Sequence, residues 1–231
     1  MTTTTTSTAT ASSYACAIDL RALHAVACAV STDETPYYLI GVLLEFTRDH
    51  VRMTATDGRM LITLRQPYAD GMPRPDAGAL PAPVIVPADL IKRLKLSRIE
   101  ALNVATLAVD GPRITFDCHG ATHGGTAVDG SFPDYRRTLP AEVSGEIATY
   151  DVLLLARFAQ ARSLLQGAVK RKRGEGLTAG HVVIAHNGYG AAAVDFAYGT
   201  GYEAVGVVMP TRANAAARNQ ALDHITDWAT K

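Results

Sequence analysis

His50-Val51-Arg52-Met53-Thr54-Ala55-Thr56-Asp57-Gly58-Arg59-Met60-Leu61-Ile62-Thr63-Leu64 reads as a hairpin, and the rest of the fold is argued outward from it. Two runs rich in β-branched and aliphatic residues, 50–55 and 60–64, flank Thr56-Asp57-Gly58-Arg59. An Asp-Gly pair readily supplies the positive φ of a tight turn, so the two runs pair antiparallel. Upstream, residues 37–46 are aromatic and aliphatic and predict a strand, and 15–18 predict another. Asp19 is placed to cap a helix over 21–30, where Leu20, Leu23, Ala27 and Val30 recur at helical spacing. Downstream, 66–83 is rich in Pro and Gly and predicts a loop. A strand at 83–86 follows, then a helix opened by Pro87 and carrying Leu90, Ile91 and Leu94. Three more strands are expected at 102–108, 113–118 and 125–128, ahead of a turn-rich connector at 129–135.

The second half repeats this order. A strand is expected at 146–149, then a helix capped by Asp151 with Leu154, Leu155, Phe158 and Leu165 on one side. A hairpin around Asn187-Gly188 joins 181–186 to 191–198. Residues 205–208 then run into Met209-Pro210 and a helical tail over 215–228. The repetition predicts an α+β protein of repeated strand-helix-strand units, with helices on one face of antiparallel sheets. The expected division is a disordered tail at 1–13, a complete unit at 14–140 and an incomplete one at 141–231. The tail is almost all Thr, Ser and Ala and has nothing to offset its ordering entropy.

Of the 231 residues, 48% are hydrophobic and 19% charged, enough to bury a core. Net charge is zero, so no global field draws the molecule to nucleic acid and any DNA contact needs a local basic face. Three cysteines, Cys16, Cys28 and Cys118, are odd in number and widely spaced. They fit free thiols in a reduced, cytoplasmic setting better than a disulfide framework. The N-terminus has no apolar signal core, and no run is long enough to span a membrane.

Four stretches stand out: Thr35-Pro36-Tyr37-Tyr38-Leu39-Ile40-Gly41-Val42-Leu43-Leu44-Glu45-Phe46, Ala55-Thr56-Asp57-Gly58-Arg59-Met60-Leu61, Val84-Ile85-Val86-Pro87 with its basic helix, and Val128-Asp129-Gly130-Ser131-Phe132-Pro133-Asp134-Tyr135-Arg136-Arg137. Their order and spacing are similar to those of the bacterial DNA polymerase III β subunit (sliding clamp) family. They resemble the family's middle domain over residues 15–140. Beyond Pro140 the likeness thins to the strand-helix pattern and Val207-Val208-Met209-Pro210-Thr211-Arg212. That hexapeptide resembles the family's C-terminal ending. It also fits the repeat's strand-Pro-helix corner, which the internal repetition favours. The family's first domain has no counterpart here.

The resemblance implies a DNA-clamp fold and a non-enzymatic processivity factor without a cofactor. It would hold a DNA polymerase or repair proteins on duplex DNA, independently of sequence. It also implies a homo-oligomer, for which two-domain chains favour a trimer over a dimer. The rival reading is an adaptor or decoy that binds clamp-interacting proteins without forming a ring.

A partner-peptide pocket is implied at Leu39, Thr56, Gly58, Arg59, Leu61, Pro133, Arg137 and Thr138, with Val208, Met209, Pro210 and Arg212. An apolar floor desolvates Leu or Phe anchors while flanking arginines fix direction. Read without the resemblance, Leu39 and Leu61 are core and Gly58 a turn. Arg59-Met60 stands where His-Arg is usual in the family, and Ile40 where Asn is usual. Basic residues Lys92, Arg93, Lys95 and Arg98 crowd one helix, and Arg157 and Arg162 lie on another. In the family such helices face the phosphate backbone; a solvated face is the plain alternative. The Lys170–Arg173 run reads as a loop beside Gly174 and Gly176. Gly188-Tyr189-Gly190-Ala191-Ala192-Ala193 imitates a dinucleotide loop with Glu203 beyond it, but the alternation after it suits a strand. Cys118, His119 and His123 lack a fourth metal ligand nearby.

Overall fold

The structure, a computed structural model, describes residues 14–33, 36–76, 80–166 and 181–211. The tail at 1–13, the Lys170–Arg173 run, Arg212 and the helix expected at 215–228 lie outside the described residues. Eleven strands and three α-helices are described. β1 (Tyr14–Asp19), β6 (Val104–Asp110), β7 (Arg113–Cys118) and β8 (Ala121–Thr126) form a four-stranded sheet in that order. The second sheet has seven strands, ordered β5 (Val84–Pro87), β2 (Gly41–Phe46), β3 (His50–Thr56), β4 (Met60–Pro67), β11 (Glu203–Val208), β10 (Ala192–Asp195) and β9 (Val183–Ala185). Every pairing is antiparallel. The helices are α1 (Leu20–Ala27), α2 (Ala88–Arg93) and α3 (Val152–Gln166). No described helix is long and apolar enough to cross a membrane.

The predicted hairpin is β3–β4, with Thr56 opposite Leu61 and Gly58 at φ +86°. Asp57 Oδ1 accepts the amides of Arg59 and Met60 at 2.9 and 2.8 Å, which closes the turn. Asp19 caps α1 as expected, its Oδ1 accepting Arg21 N at 2.7 Å and Ala22 N at 3.3 Å. Leu20, Leu23 and Val26 of α1 are fully buried in one core with Val42, Leu44, Met53 and Ile62 of the large sheet and Leu107 and Phe116 of the small one. Burying such side chains contributes about 1.5–3 kcal/mol each.

Three expected strands differ, the first being the one expected at 125–128, which is β8 and runs from Ala121 to Thr126. Residues 37–39 form a 3-10 turn, Tyr37–Leu39, and β2 begins only at Gly41. Close packing explains the start: a Cβ at Gly41 would lie 2.7 Å from Ile85 Cγ2 and from the Val86 carbonyl. Residues 146–149 join neither sheet. Their backbone instead bonds to turns, through Gly188 N to Glu146 O at 2.8 Å and Thr211 N to Thr149 O at 2.8 Å. Gly188 is the turn of the β9–β10 hairpin, and the strand after it excludes the helix that a dinucleotide loop requires. All three cysteines are free, Cys16 and Cys118 buried.

Residues from the second half complete the large sheet. β11 pairs with β4 over six positions, from Glu203 opposite Arg65 to Val208 opposite Met60. Above the join, Phe158 of α3 presses on Gly206, where any Cβ would collide with its ring. Phe158 also packs on Phe196, ring centroids 5.6 Å apart. Tyr202 Oη donates to Asp19 Oδ2 at 2.7 Å, so the cap of α1 is also a tie to the start of β11.

Burial holds His24 below its ordinary pKa, and its Nε2–H donates to the Leu94 carbonyl at 2.6 Å, joining α1 to the end of α2. His50 is lowered as well, by burial and then by Arg52 and Arg65. Both rings stay neutral where the unfolded chain takes up protons, near an ordinary value of about 6.5. Stability is therefore full above that pH and lost as pH falls through it. Urea unfolding between pH 7.5 and 5.5 should show this decline, and His24→Gln should flatten part of the slope.

Candidate partner-binding site

Side chains alternate across a strand, so the seven-stranded sheet turns one set to the core and the other outward. The pairing register sorts the outward set into three rows. One row runs Thr56, Leu61, Val207, Ala193 across β3, β4, β11 and β10. The next runs Ile85, Leu43, Thr54, Thr63, Val205 from β5 to β11. The third is charged throughout: Glu45, Arg52, Arg65, Glu203.

The connector after β8 folds back over this face. A Cβ at Gly130 would lie 2.9 Å from Tyr38 Cβ, so only glycine lets the chain pass there. The chain then makes a 3-10 turn, Tyr135–Thr138. Tyr135 is buried in an outer cluster with Leu43, Leu61, Ile85 and Val207. Its hydroxyl donates to Glu45 Oε2 at 2.6 Å, and Arg136 Nη2 donates to Glu45 Oε1 at 2.6 Å. The Glu45 hydrogen bond holds Arg136 above the ordinary guanidinium range, and Arg136 also covers the Tyr135 ring at 4.9 Å. Glu45 thus fastens the turn to the sheet.

Several expected pocket residues meet around this cluster. Leu61 is its centre on β4, with Thr56 opposite and Gly58 and Arg59 in the adjoining turn. Met209 N donates to the Arg59 carbonyl at 2.8 Å, and Met209 is 42% exposed beside Pro210. Pro133, Arg137 and Thr138 are exposed on the overlying connector, where Thr138 Oγ1 donates to Tyr135 O and Arg137 pairs with Asp134. Two expected residues fall elsewhere. Val208 is fully buried in the inner core, because its register position points inward; Val207 takes the outer place. Leu39 is buried within its 3-10 turn, and the neighbouring Tyr38 is the residue packed on the outer cluster. Tyr135, Val207 and Glu45 were missed by the sequence reading. Period-two alternation could have selected Val207, but nothing local marks Tyr135 or Glu45. A cavity of about 690 Å³ beneath Phe132 and Tyr135 meets the expected set only at Pro133.

The basic residues divide. Lys92, Arg93, Lys95 and Arg98 are exposed on and after α2, with Lys92 paired to Asp89 at 2.9 Å and Arg93 Nη2 donating to Gly124 O at 3.0 Å. The two on α3 are structural. Arg162 is only 3% exposed, and its Nη1 donates to the carbonyls of Phe196 and Tyr198 at 2.8 and 2.9 Å. Arg157 donates Nε to Cys28 O and Nη2 to Val30 O, each at 2.6 Å, and pairs through Nη1 with Asp57. Those carbonyls lie at the C-terminal end of α1, where a cation is favoured. One fork therefore joins α3, α1 and the β3–β4 turn, and neither α3 arginine is left to meet phosphates. Arg157→Met should cost about 2–4 kcal/mol in urea unfolding by orphaning Asp57 and both carbonyls. Arg157→Lys should recover less than half, since an ammonium has no fork. Unchanged stability would overturn this role.

Comparison with known proteins bears on the same elements. The family model for the DNA polymerase III beta subunit, central domain, matches residues 19–134. The beta sliding clamp of Caulobacter vibrioides (strain NA1000 / CB15N) is 30% identical over 142 residues, 60% of this chain and 36% of that one. The beta sliding clamp of Escherichia coli (strain K12) is 28% identical over 144 residues, 62% of this chain and 37% of that one. The chain thus spans little more than a third of the relatives it matches. Among solved structures, the DNA polymerase III beta chain of Streptococcus pneumoniae superposes with a TM-score of 0.62 at 14% identity, covering 87% of this chain and 66% of that one. The Caulobacter crescentus sliding clamp does so at 0.58 and 20% identity, covering 91% and 68%. With the matched segment running from the cap of α1 to the connector before Tyr135, the chain belongs to the DNA polymerase III beta subunit (sliding clamp) family through that family's central domain.

Proposed function

We propose that this chain acts as a sliding-clamp-like processivity factor, without enzymatic activity, that holds polymerase or repair proteins on duplex DNA. The observation that carries the reading is the β4–β11 register. Leu61 stands beside Val207 and Met209, far from it in sequence, where the β3–β4 turn meets the Tyr135 turn. Such a shelf suits the Leu and Phe anchors of a short peptide, with Arg59 and Arg137 at its rim. On this reading residues 14–140 and the segment from 141 onward are two clamp-like units joined edge to edge by β4 and β11. Lys92, Arg93, Lys95 and Arg98 are the phosphate-facing set, each contact adding about 0.9 to the salt slope of DNA binding.

Self-association uses the free sheet edges. β1 and β5 carry loop hydrogen bonds, Ala17 N to Pro73 O at 2.8 Å and Val128 N to Ile85 O at 3.0 Å. β9 has no backbone partner beyond its sheet neighbour among the described residues, and β8 has one, Gly124 O accepting from the Arg93 side chain at 3.0 Å. A head-to-tail ring pairing one such edge with the other, a trimer ahead of a dimer, satisfies both.

Two experiments test the proposal. A Gln-x-x-Leu-x-Phe peptide should bind, and Leu61→Lys should weaken it at least a hundredfold by placing an ammonium in an apolar floor. Since Leu61 is buried, exposed Met209→Glu is the companion variant and should weaken binding about tenfold without unfolding; unaltered affinity in both rejects the shelf. The protein, loaded on nicked circular duplex, should stay bound through a high-salt wash and leave once the circle is cut. Equal loss from circle and linear DNA would reject encirclement, as would a strictly monomeric mass by light scattering at high concentration.

A further inference from the structure

The charged row of the outer face is not balanced within itself. Arg65 pairs with Glu203, and both oxygens of Glu45 are taken by Tyr135 and Arg136. Arg52 lies between them, directly across from Glu45 on one side and Arg65 on the other. It makes no hydrogen bond or ion pair among the described residues. Two guanidinium groups directly opposite each other on neighbouring strands repel. Counting Arg136, the patch sets three guanidinium groups against two carboxylates.

Beside this surplus cation the surface is concave. A groove of about 620 Å³ is lined by all three arginines and walled by Tyr135, Leu139 and Val205. That volume falls within the range of roughly 300–1,000 Å³ typical of sites that enclose a small ligand, enough for a short peptide segment. Along β4 the groove is lined by Thr63, Leu64 and Arg65, which start about 7 Å and end about 13 Å from Leu61 at strand rise. An unpaired cation beside apolar walls matches a carboxylate carried on an apolar body, because the acid completes the charge row while its neighbour covers Leu139 and Val205.

We propose that this groove binds an extended acidic peptide segment, its carboxylates on Arg52 and Arg136 and its alternate apolar residues on Leu139 and Val205. Alternation sends acids to one side of such a segment and apolar residues to the other. The site adjoins the shelf around Leu61, sharing Tyr135 and Leu139 with the outer cluster, but its charged contacts, Arg52 and Arg136, lie outside that cluster.

The probe is a rhodamine-labelled acetyl-Glu-Leu-Glu-Leu peptide, titrated with the full chain by fluorescence anisotropy beside its Gln-Leu-Gln-Leu counterpart. The acidic peptide should bind at least about tenfold tighter than the amide one, the worth of one charge-assisted hydrogen bond. Arg52→Gln should remove that preference and leave binding of a Gln-x-x-Leu-x-Phe peptide unchanged. Equal binding of the two probes, no binding at millimolar protein, or indifference to Arg52→Gln would overturn the proposal. So would displacement of the acidic probe by the Gln-x-x-Leu-x-Phe peptide, which would assign both to one site.

Discussion

The pairing of β4 with β11 is the constraint from which the rest of the described structure follows. Without it, β4 would end the first half's sheet as an exposed row of unpaired amides and carbonyls, and β9, β10 and β11 would be a three-stranded fragment with little core. With it, one seven-stranded sheet buries an inner face against α1 and α3 and presents three ordered rows outward. Glycine at 206 is part of the same constraint, since Phe158 of α3 occupies the volume a side chain would need.

The join is reinforced at both ends of α1. At its start, Asp19 divides its carboxylate between the helix amides and the Tyr202 hydroxyl. At its end, the Arg157 fork satisfies carbonyls that the helix itself leaves open and reaches Asp57 in the β3–β4 turn. Residues that look like surface charges in a linear reading are thus spent on helix termini and turns. An arginine fork suits this because its donors lie in one plane and reach several acceptors together.

On the outer face, the same economy of polar groups appears around Glu45. One carboxylate orients both Tyr135, which packs on Leu43 and Leu61, and Arg136, which lies over the Tyr135 ring. The connector after β8 is therefore a fixed roof rather than a loose loop. Its shape depends on glycine at 130, where the backbone passes Tyr38 at contact distance. The exposed ends of the roof are Pro133 on one side and Arg137 and Thr138 on the other.

Local chemistry was enough to read the β3–β4 hairpin, the Asp19 cap, β7 and the turn at Asn187-Gly188. Asp-Gly and Asn-Gly turns, capping oxygens and alternating apolar residues act over a few residues, so the sequence alone determined them, together with the α+β class and the family. It misread 37–39 as strand, where the backbone closes on itself in a 3-10 turn, and 146–149 as a sheet member, where the backbone bonds to the distant Gly188 and Thr211. It listed Val208 for a surface that takes Val207, a one-residue shift that only strand register settles, and Leu39 where the 3-10 turn instead packs Tyr38 on the outer cluster. It also counted Arg157 and Arg162 as free cations, although carbonyls over a hundred positions away, for Arg157, and 34 and 36 away, for Arg162, claim them. Residue types and short-range turns were the sequence's to determine. Which face a strand shows, and which charges remain unspent, were decided by the β4–β11 register, since both depend on neighbours that meet only when the sheet closes.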